Sequence, residues 1–443
     1  MQWLRSLLVI CLFLGGGVLL SACSAEDLTS IPKSSEKKSA PDAVEGMAEI
    51  EAPSKLDYPE ALPGGDDKIA TTPLPEALRK EKPAGEGAPI TGAKPKVKVR
   101  KFEIDQAEKD GFHRVKVFYG TNRNRTGETE ANNFYGKTRG EMTYGICEVA
   151  IPLTHKAGAL EAPKWWKLEF NEDPTKHVVL QKVDTLSWRG MAAQLNDMIS
   201  KAHGKNAFIF VHGYNVAFKD AARRTAQIHH DLKFDGAPIF FSWPSRGEIT
   251  LTSYTHDETN AKWSYSYLKE FLIKVATDTE ADNIYLVAHS MGTRVLSNAI
   301  AGVVTDRPDL KKRFKEIILA APDIDAEVFI NDLAPKLVQA SRNTTLYASA
   351  DDRALQTSRE VHGGYARAGD AGENLIVMDD IDTIDATGVD ASLLGHSYFA
   401  EATSILRDIK ELVGLSKPAH ARTYLIPKTR EADGRRFFVV KRD

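Results

Sequence analysis

Beyond about residue 102, apolar residues come in short unbroken runs separated by stretches of helical spacing. Strand-like runs are predicted at Val115 to Tyr119, in GICEVAIP, and in HVVLQKVDTLS, with a polar, Pro-containing stretch between the last two. Trp188 to His203 places Met191, Leu195, Met198 and Ile199 on one helical face. From there the alternation is regular. AFIFVHG (Ala207 to Gly213) reads as a buried strand, FKDAARRTAQIHHDL as a helix, and APIFFSWPS as a strand ended by Pro244. A longer connection rich in Thr, Ser and Tyr leads to a helix around Trp263 to Thr277. Ile284 to Ala288 is unbrokenly apolar, as in a strand buried on both faces, and VLSNAIAGVV after it has helical spacing. Strand EIILAAPDID, a helix through Val328 to Leu337, strand TLYASADD, a short helix, strand NLIVMD and a helix from about Tyr398 to Val413 follow. Strands alternating with helices of this length predict a mostly parallel sheet covered by helices on both faces. The tail, TYLIPKTREADGRRFFVVK, has the pattern of a β-hairpin.

Chemistry enters at the junction NIYLVAHSMG, Asn283 to Gly292. A buried strand that turns sharply into a helix at small-x-Ser-x-Gly is the nucleophile elbow of the α/β-hydrolase fold. Ala288 and Gly292 flank Ser290 because a bulky Cβ at either place would collide where strand and helix cross. The turn strains Ser290 and presents its Oγ, while the helix N-terminus offers N–H groups to a developing oxyanion.

A serine hydroxyl needs a base, and the base an orienting acid. In this fold they follow in the order Ser, acid, His. Three histidines come after Ser290: His362 in a Gly-rich stretch, His396 in LLGHSYF, and His420 beyond the last helix. His396, between the last predicted strand and the last helix, is the expected base. The acid should follow the second strand after the elbow, which gives Asp352, with Asp351 beside it. Asp323 in AAPDID is the alternative, one strand earlier. Asp325 fits better as a helix cap; Asp379, Asp380, Asp382 and Asp385 cluster closer to His396, but at the end of a strand they are as readily solvated. The second oxyanion donor should come from Val211-His212-Gly213-Tyr214-Asn215, with the Tyr214 N–H joining that of Met291. Gly213 is expected to permit the turn, and His212 and His289 to be structural. The Ser245 to Asn260 connection, with Trp243, Tyr254 and Trp263 about it, suits a lid or pocket wall, or aromatic packing. There is no metal-ligand spacing and no phosphate-cradling loop, so no cofactor is expected.

The remaining sequence bears on location. MQWLRSLLVICLFLGGGVLLSAC has one Arg, an apolar run too short to span a bilayer and a small-residue stop. That describes a signal peptide over residues 1–22. Leu20-Ser21-Ala22-Cys23 resembles the lipobox of bacterial lipoproteins, which implies cleavage before Cys23 and acylation of its thiol. Ser24 rather than Asp after it suggests the outer membrane, facing the periplasm, as the destination. Residues 23–101 hold ten of the twenty prolines and one aromatic, Tyr58. Too little apolar surface is present to offset the entropy of ordering. The stretch reads as a tether with a span on the order of 50 Å. Cys11 leaves with the signal and Cys23 is capped, so Cys147 remains a lone, buried thiol. The net charge is −3, and no basic patch interleaved with aromatics points to nucleic acid.

Together FYGTNR (Phe118 to Arg123), FVHGYN (Phe210 to Asn215), AHSMG, AAPDID, LYAS with Asp352, and GHSYF resemble a bacterial α/β-hydrolase family of unknown function. The resemblance covers roughly Val115 to Leu415, leaving out signal, tether and tail. It implies the fold and a Ser-His-Asp triad on Ser290, His396 and Asp352, and leaves the substrate open. FYGTNR lies too early in the chain to supply a triad member. The expected organisation is thus signal peptide (1–22), lipid-anchored tether (23–101), α/β-hydrolase domain (102–415) and tail (416–443). The expected activity is cleavage of an ester, thioester or amide in a small-molecule or lipid-like acyl substrate. Acyl transfer on the same triad and a catalytically silent envelope scaffold are the alternatives.

Overall fold

A computed structural model describes residues 106–163, 171–248, 250–389 and 402–442. The signal peptide, the tether with Cys23, and His396 lie outside them. The described strands are β1 (Phe112–Arg125), β2 (Tyr135–Pro152), β3 (Val179–Leu186), β4 (Asn206–Val211), β5 (Gly236–Ser242) and β6 (Asn283–His289). They continue with β7 (Phe314–Ala320), β8 (Ser341–Ala348), β9 (Asp382–Asp385), β10 (Leu425–Thr429) and β11 (Arg436–Val440). One sheet takes them in the order β10-β11-β9-β8-β7-β6-β4-β5-β1-β2-β3. Pairing is parallel from β11 through β9 to β1 and antiparallel at the two edges, β10 with β11 and β1 with β2 with β3.

The unbroken apolar runs are explained by burial on both faces. In β6, Ile284, Leu286 and Ala288 enter one core and Tyr285 and Val287 the other. In β4, Ala207, Ile209 and Val211 oppose Phe208 and Phe210 in the same way. Successive side chains of a strand point to opposite faces, so a strand with two covered faces needs apolar residues throughout. The first core is closed by α1 (Trp188–Lys201), α4 (Tyr265–Asp278), α5 (Met291–Asp306) and α6 (Ala334–Ala340). The second is closed by α2 (Phe218–Leu232) and α8 (Ala402–Leu415). Each fully buried Leu, Ile or Phe on these faces contributes about 1.5–3 kcal/mol.

Four features differ from the sequence reading. β1 continues through Arg125, well past Tyr119. The connection before Trp263 contains a helix, α3 (Leu251–Trp263), which lacks an apolar stripe. Its buried face is largely polar, with Ser253, Asp257 and Asn260 at helical spacing beside Tyr254 and Ala261, and Ser264 just beyond. NLIVMD is not a strand: Leu375, Ile376 and Val377 are buried as irregular chain. The ladder position beside β8 goes to DTID, through Thr345↔Asp382 to Ala348↔Asp385. Short flanking-Asp segments have weak strand propensity alone, and pairing with β8 and β11 overrides it. The tail's hairpin, β10 with β11, joins the main sheet by Phe438↔Ile384. A helix, α7 (Arg353–Val361), stands between β8 and β9, and Cys147 is a buried free thiol.

Candidate active site

Ser290 stands between the last residue of β6 and the first of α5, with φ 49° and ψ −126°. No L-residue adopts that backbone cheaply; the cost is on the order of 1–3 kcal/mol and persists only when the surroundings over-determine it. They do so here. The Ser290 N–H donates to the Ala320 carbonyl at 3.0 Å, and its carbonyl accepts from Thr293 N–H and, at 3.4 Å, from Asp323 N–H. A Cβ on Gly292 would stand 2.3 Å from the His212 carbonyl oxygen and 2.6 Å from that of Val211. Glycine is therefore required where α5 crosses the end of β4. Ser290 is only 6% exposed, less open than the sequence suggested, because the turn after β7 and the loop after β4 close over it. In that turn Ala321 is also left-handed, at φ 47°.

The loop after β4 approaches the serine directly. A Cβ on Gly213 would lie 3.2 Å from Ser290 Cβ and 3.0 Å from the His289 carbonyl. Close approach, rather than the expected turn conformation, is what glycine provides there. The left-handed residue of this loop is Asn215, at φ 60°.

His212 sets the orientation of the next peptide. Burial, with Arg123 nearby, pushes its pKa down to about 3, so the ring is neutral. Its Nδ1 is 2.9 Å from the Gly213 carbonyl and its Nε2 is 3.1 Å from Ser242 Oγ. A neutral ring donates once, and the carbonyl can only accept, so Nδ1 carries the hydrogen. A trans peptide sets C=O and N–H on opposite sides, so this bond directs the Tyr214 N–H away from the imidazole. Trp243 stacks on His212 and donates Nε1–H to its carbonyl at 2.8 Å. Trp243 is thus packing, as is Tyr254, which is buried with its hydroxyl bonded within the protein.

FYGTNR now acquires a role. Arg123 is buried, and its guanidinium donates to Ser242 Oγ (2.8 Å) and to the carbonyls of Gly136 (3.1 Å), Ser245 (2.9 Å) and Val216 (2.7 Å). It thereby braces the loop after β4 against the loop after β5. Burial lowers its pKa, while Asp257 and Asp220 act in the opposite direction. Thr121 Oγ1 donates to the Ser242 carbonyl at 2.6 Å, and Asn122 Nδ2 to Ser264 Oγ at 2.8 Å. From the other side, Asp257 of α3 accepts from Ser245 Oγ and from Arg246 N–H at 2.9 Å. Tyr214 hydroxyl meets the Glu248 carbonyl at 2.7 Å. None of these partners lies near Arg123 in sequence; the polar stripe of α3 was the one signal that could have pointed to them.

The candidate acids fall into distinct environments. Asp323 is buried and saturated: Oδ1 accepts from Arg294, Arg367 (both 3.0 Å) and Ser358, and Oδ2 from Tyr254 at 2.6 Å. Burial alone would raise its pKa, but Arg294 and Arg367 hold it below the usual value. Asp352 follows the end of β8, two strands from β6, and its Oδ1 accepts from Leu355 N–H at 3.0 Å. Asp351 Oδ2 accepts from Gly388 N–H at 2.8 Å. Asp325 caps the helical segment after it, accepting from Glu327 and Val328. His362 has both ring nitrogens engaged, with the Ser358 carbonyl (2.7 Å) and Glu258 (3.1 Å), and His420 is exposed. Met291 is buried at the start of α5.

The chain is similar to several solved structures. One, described as a cell-surface hydrolase from Lactobacillus plantarum WCFS1, is 11% identical over 48% of this chain and 92% of that one, with a TM-score of 0.29. An esterase from Rhizomucor miehei is 10% identical over 75% and 94%, with a TM-score of 0.29. Carboxyl esterase 2 of Tuber melanosporum is 12% identical over 62% and 81%, with a TM-score of 0.25. No curated protein matches the chain. A family model matches residues 189–414, from α1 to the penultimate residue of α8. By that match, and by the fold it describes, the chain belongs to the family of alpha/beta hydrolases of unknown function, DUF900.

Proposed function

We propose that this protein is a serine hydrolase that cleaves an ester, thioester or amide through an acyl-enzyme. The observation that carries the reading is the forced backbone of Ser290, held at positive φ with Gly213 and Gly292 packed against it. A strained serine at a strand-to-helix turn has no structural use that glycine would not serve with less strain. In the proposed reaction Ser290 Oγ attacks the acyl carbon as His396 takes its proton. The oxyanion accepts from the Met291 and Tyr214 amides, and the leaving group departs with the proton returned by His396. Water then attacks the acyl-enzyme by the same path. Asp352 is the proposed partner of His396, because it follows β8 in the chain while His396 follows β9, the strand paired with β8. The saturation of Asp323 by two arginines, a tyrosine and a serine supports that choice.

Fluorophosphonate should label Ser290, and Ser290→Ala should abolish labelling and lower turnover of an activated aryl ester by about 10⁶. Labelling of another residue with Ser290 untouched refutes the assignment, and no labelling of folded protein favours a silent scaffold. We further propose that acylated Cys23 anchors the protein to the envelope, with the hydrolase domain in the periplasm. Mass spectrometry of the mature N-terminus should find the acylated cysteine; a mature chain that begins elsewhere and lacks acyl groups excludes the anchor.

A further inference from the structure

A second cluster of reactive side chains lies at the opposite end of the strands from Ser290. His113 is the second residue of β1, which runs parallel to β5 and hence to β6, so it marks the N-terminal end of the sheet. His155 follows the end of β2, and His230 and Asp231 close α2. His155 Nε2 is 2.8 Å from Asp231 Oδ1, and His230 Nδ1 is 3.4 Å from the same oxygen. The three ligand-capable atoms all lie within 4.8 Å of one another.

We infer that His155, His230 and Asp231 form a binding site for a divalent transition-metal ion of the zinc type. Two imidazoles and a carboxylate are the donor set that zinc takes in open sites, with the fourth position left for water or a further ligand. The supporting contacts are those such a site needs. His155 Nδ1 is 2.8 Å from Glu161 Oε2, so a carboxylate orients the ring and makes its far nitrogen a better donor. Glu161 is in turn held by Lys156 N–H at 3.0 Å. The second oxygen of Asp231 is fixed by Gly158 N–H at 2.7 Å and by the Gln227 amide, which leaves Oδ1 for a ligand role.

Charge points the same way. Side-chain exposure is 2% for His155 and 3% for Asp231. His155 stands between two carboxylates, Asp231 and Glu161, each 2.8 Å from one of its ring nitrogens. A divalent ion with both histidines neutral balances them. Tetrahedral zinc with bonds of about 2.0–2.1 Å sets its ligand atoms about 3.3 Å apart. The His230–Asp231 edge already has that length, and the His155–Asp231 edge would open by about half an ångström. His230 is one-third exposed and provides the mouth. The His113 ring, 5.3 Å from that of His230, stands beside it as a candidate fourth ligand.

The test is calorimetric titration of the chelator-stripped full chain with ZnCl₂, with MgCl₂ as the comparison, and a thermal melt in each. One zinc should bind per chain, with no response to magnesium and a raised melting midpoint. His230→Ala removes a ligand but leaves the His155–Asp231–Glu161 triad intact, and it should weaken binding at least tenfold. Glu161→Gln should weaken it by about 10–100-fold, as loss of an outer carboxylate does. Absence of saturable 1:1 uptake, or uptake unchanged in a folded His230→Ala protein, overturns the site.

Discussion

Replacing Gly292 by alanine adds one methyl group where the structure has no room for it. The new Cβ would lie 2.3 Å from the His212 carbonyl oxygen, 2.6 Å from that of Val211 and 2.8 Å from His212 C. All three are backbone atoms of β4 and the loop that leaves it, so no rotamer change relieves the contact. Ordinary carbon contacts begin near 3.5 Å, so β4 and α5 must part by about 1 Å. Interiors are close-packed, and forced overpacking of this kind costs about 1–3 kcal/mol. The separation falls between Ser290 and the loop proposed to supply the Tyr214 amide. A 1 Å misplacement of reacting groups costs about 10²-fold in rate. The assay pairs urea denaturation with the second-order rate of fluorophosphonate labelling. A lowered urea midpoint together with slow labelling is expected. Gly213→Ala is the graded comparison: its Cβ meets neighbours at 3.0 to 3.2 Å, so small shifts suffice and its effect should be milder. Wild-type stability and labelling rate in Gly292→Ala would refute the close-crossing argument.

The acids separate by phenotype. Asp352→Asn should lower turnover by about 10⁴ with the fold intact, Asp351→Asn should be mild, and Asp323→Asn should destabilise, because Arg294 and Arg367 would lose their buried partner at about 3–5 kcal/mol. Urea midpoints and aryl-ester turnover on the three variants distinguish these outcomes; a stable, inactive Asp323→Asn beside an active Asp352→Asn reverses the assignment. Arg123→Lys keeps the charge but loses the planar fork that reaches Ser242, Ser245 and Val216 together. Labelling of Ser290 should slow by about tenfold or more, up to the 10²-fold limit for a misplaced site, while an unchanged rate would show that the brace does not position the loop.

Local chemistry made much of this protein readable in advance. Alternation of apolar runs with helical spacing determined the layered sheet, because strands buried on both faces need apolar residues throughout and amphipathic helices do not. The elbow at Ser290 was equally legible: small residues at 288 and 292 and a serine between them meet a steric demand confined to five positions. The tail's hairpin showed in its own alternation, although its attachment to β9 did not.

Tertiary structure decided what depends on distant partners. NLIVMD has the better strand composition, yet DTID is the strand, because the ladder between β8 and β11 selects by register and not by propensity. Helix α3 was hidden because its buried stripe is mostly polar, and polar residues make a stable buried helix face only where groups such as Ser245 and Pro244 wait to bond with them. Arg123 stood in a motif without a meaning until the chain brought Val216, Ser242 and Ser245 around it. His155 lies seventy-odd residues from His230 and Asp231, a separation at which no ligand spacing can be read. Sequence carries what neighbouring residues impose on one another; burial of polar and charged groups requires partners, and only the folded chain supplies those.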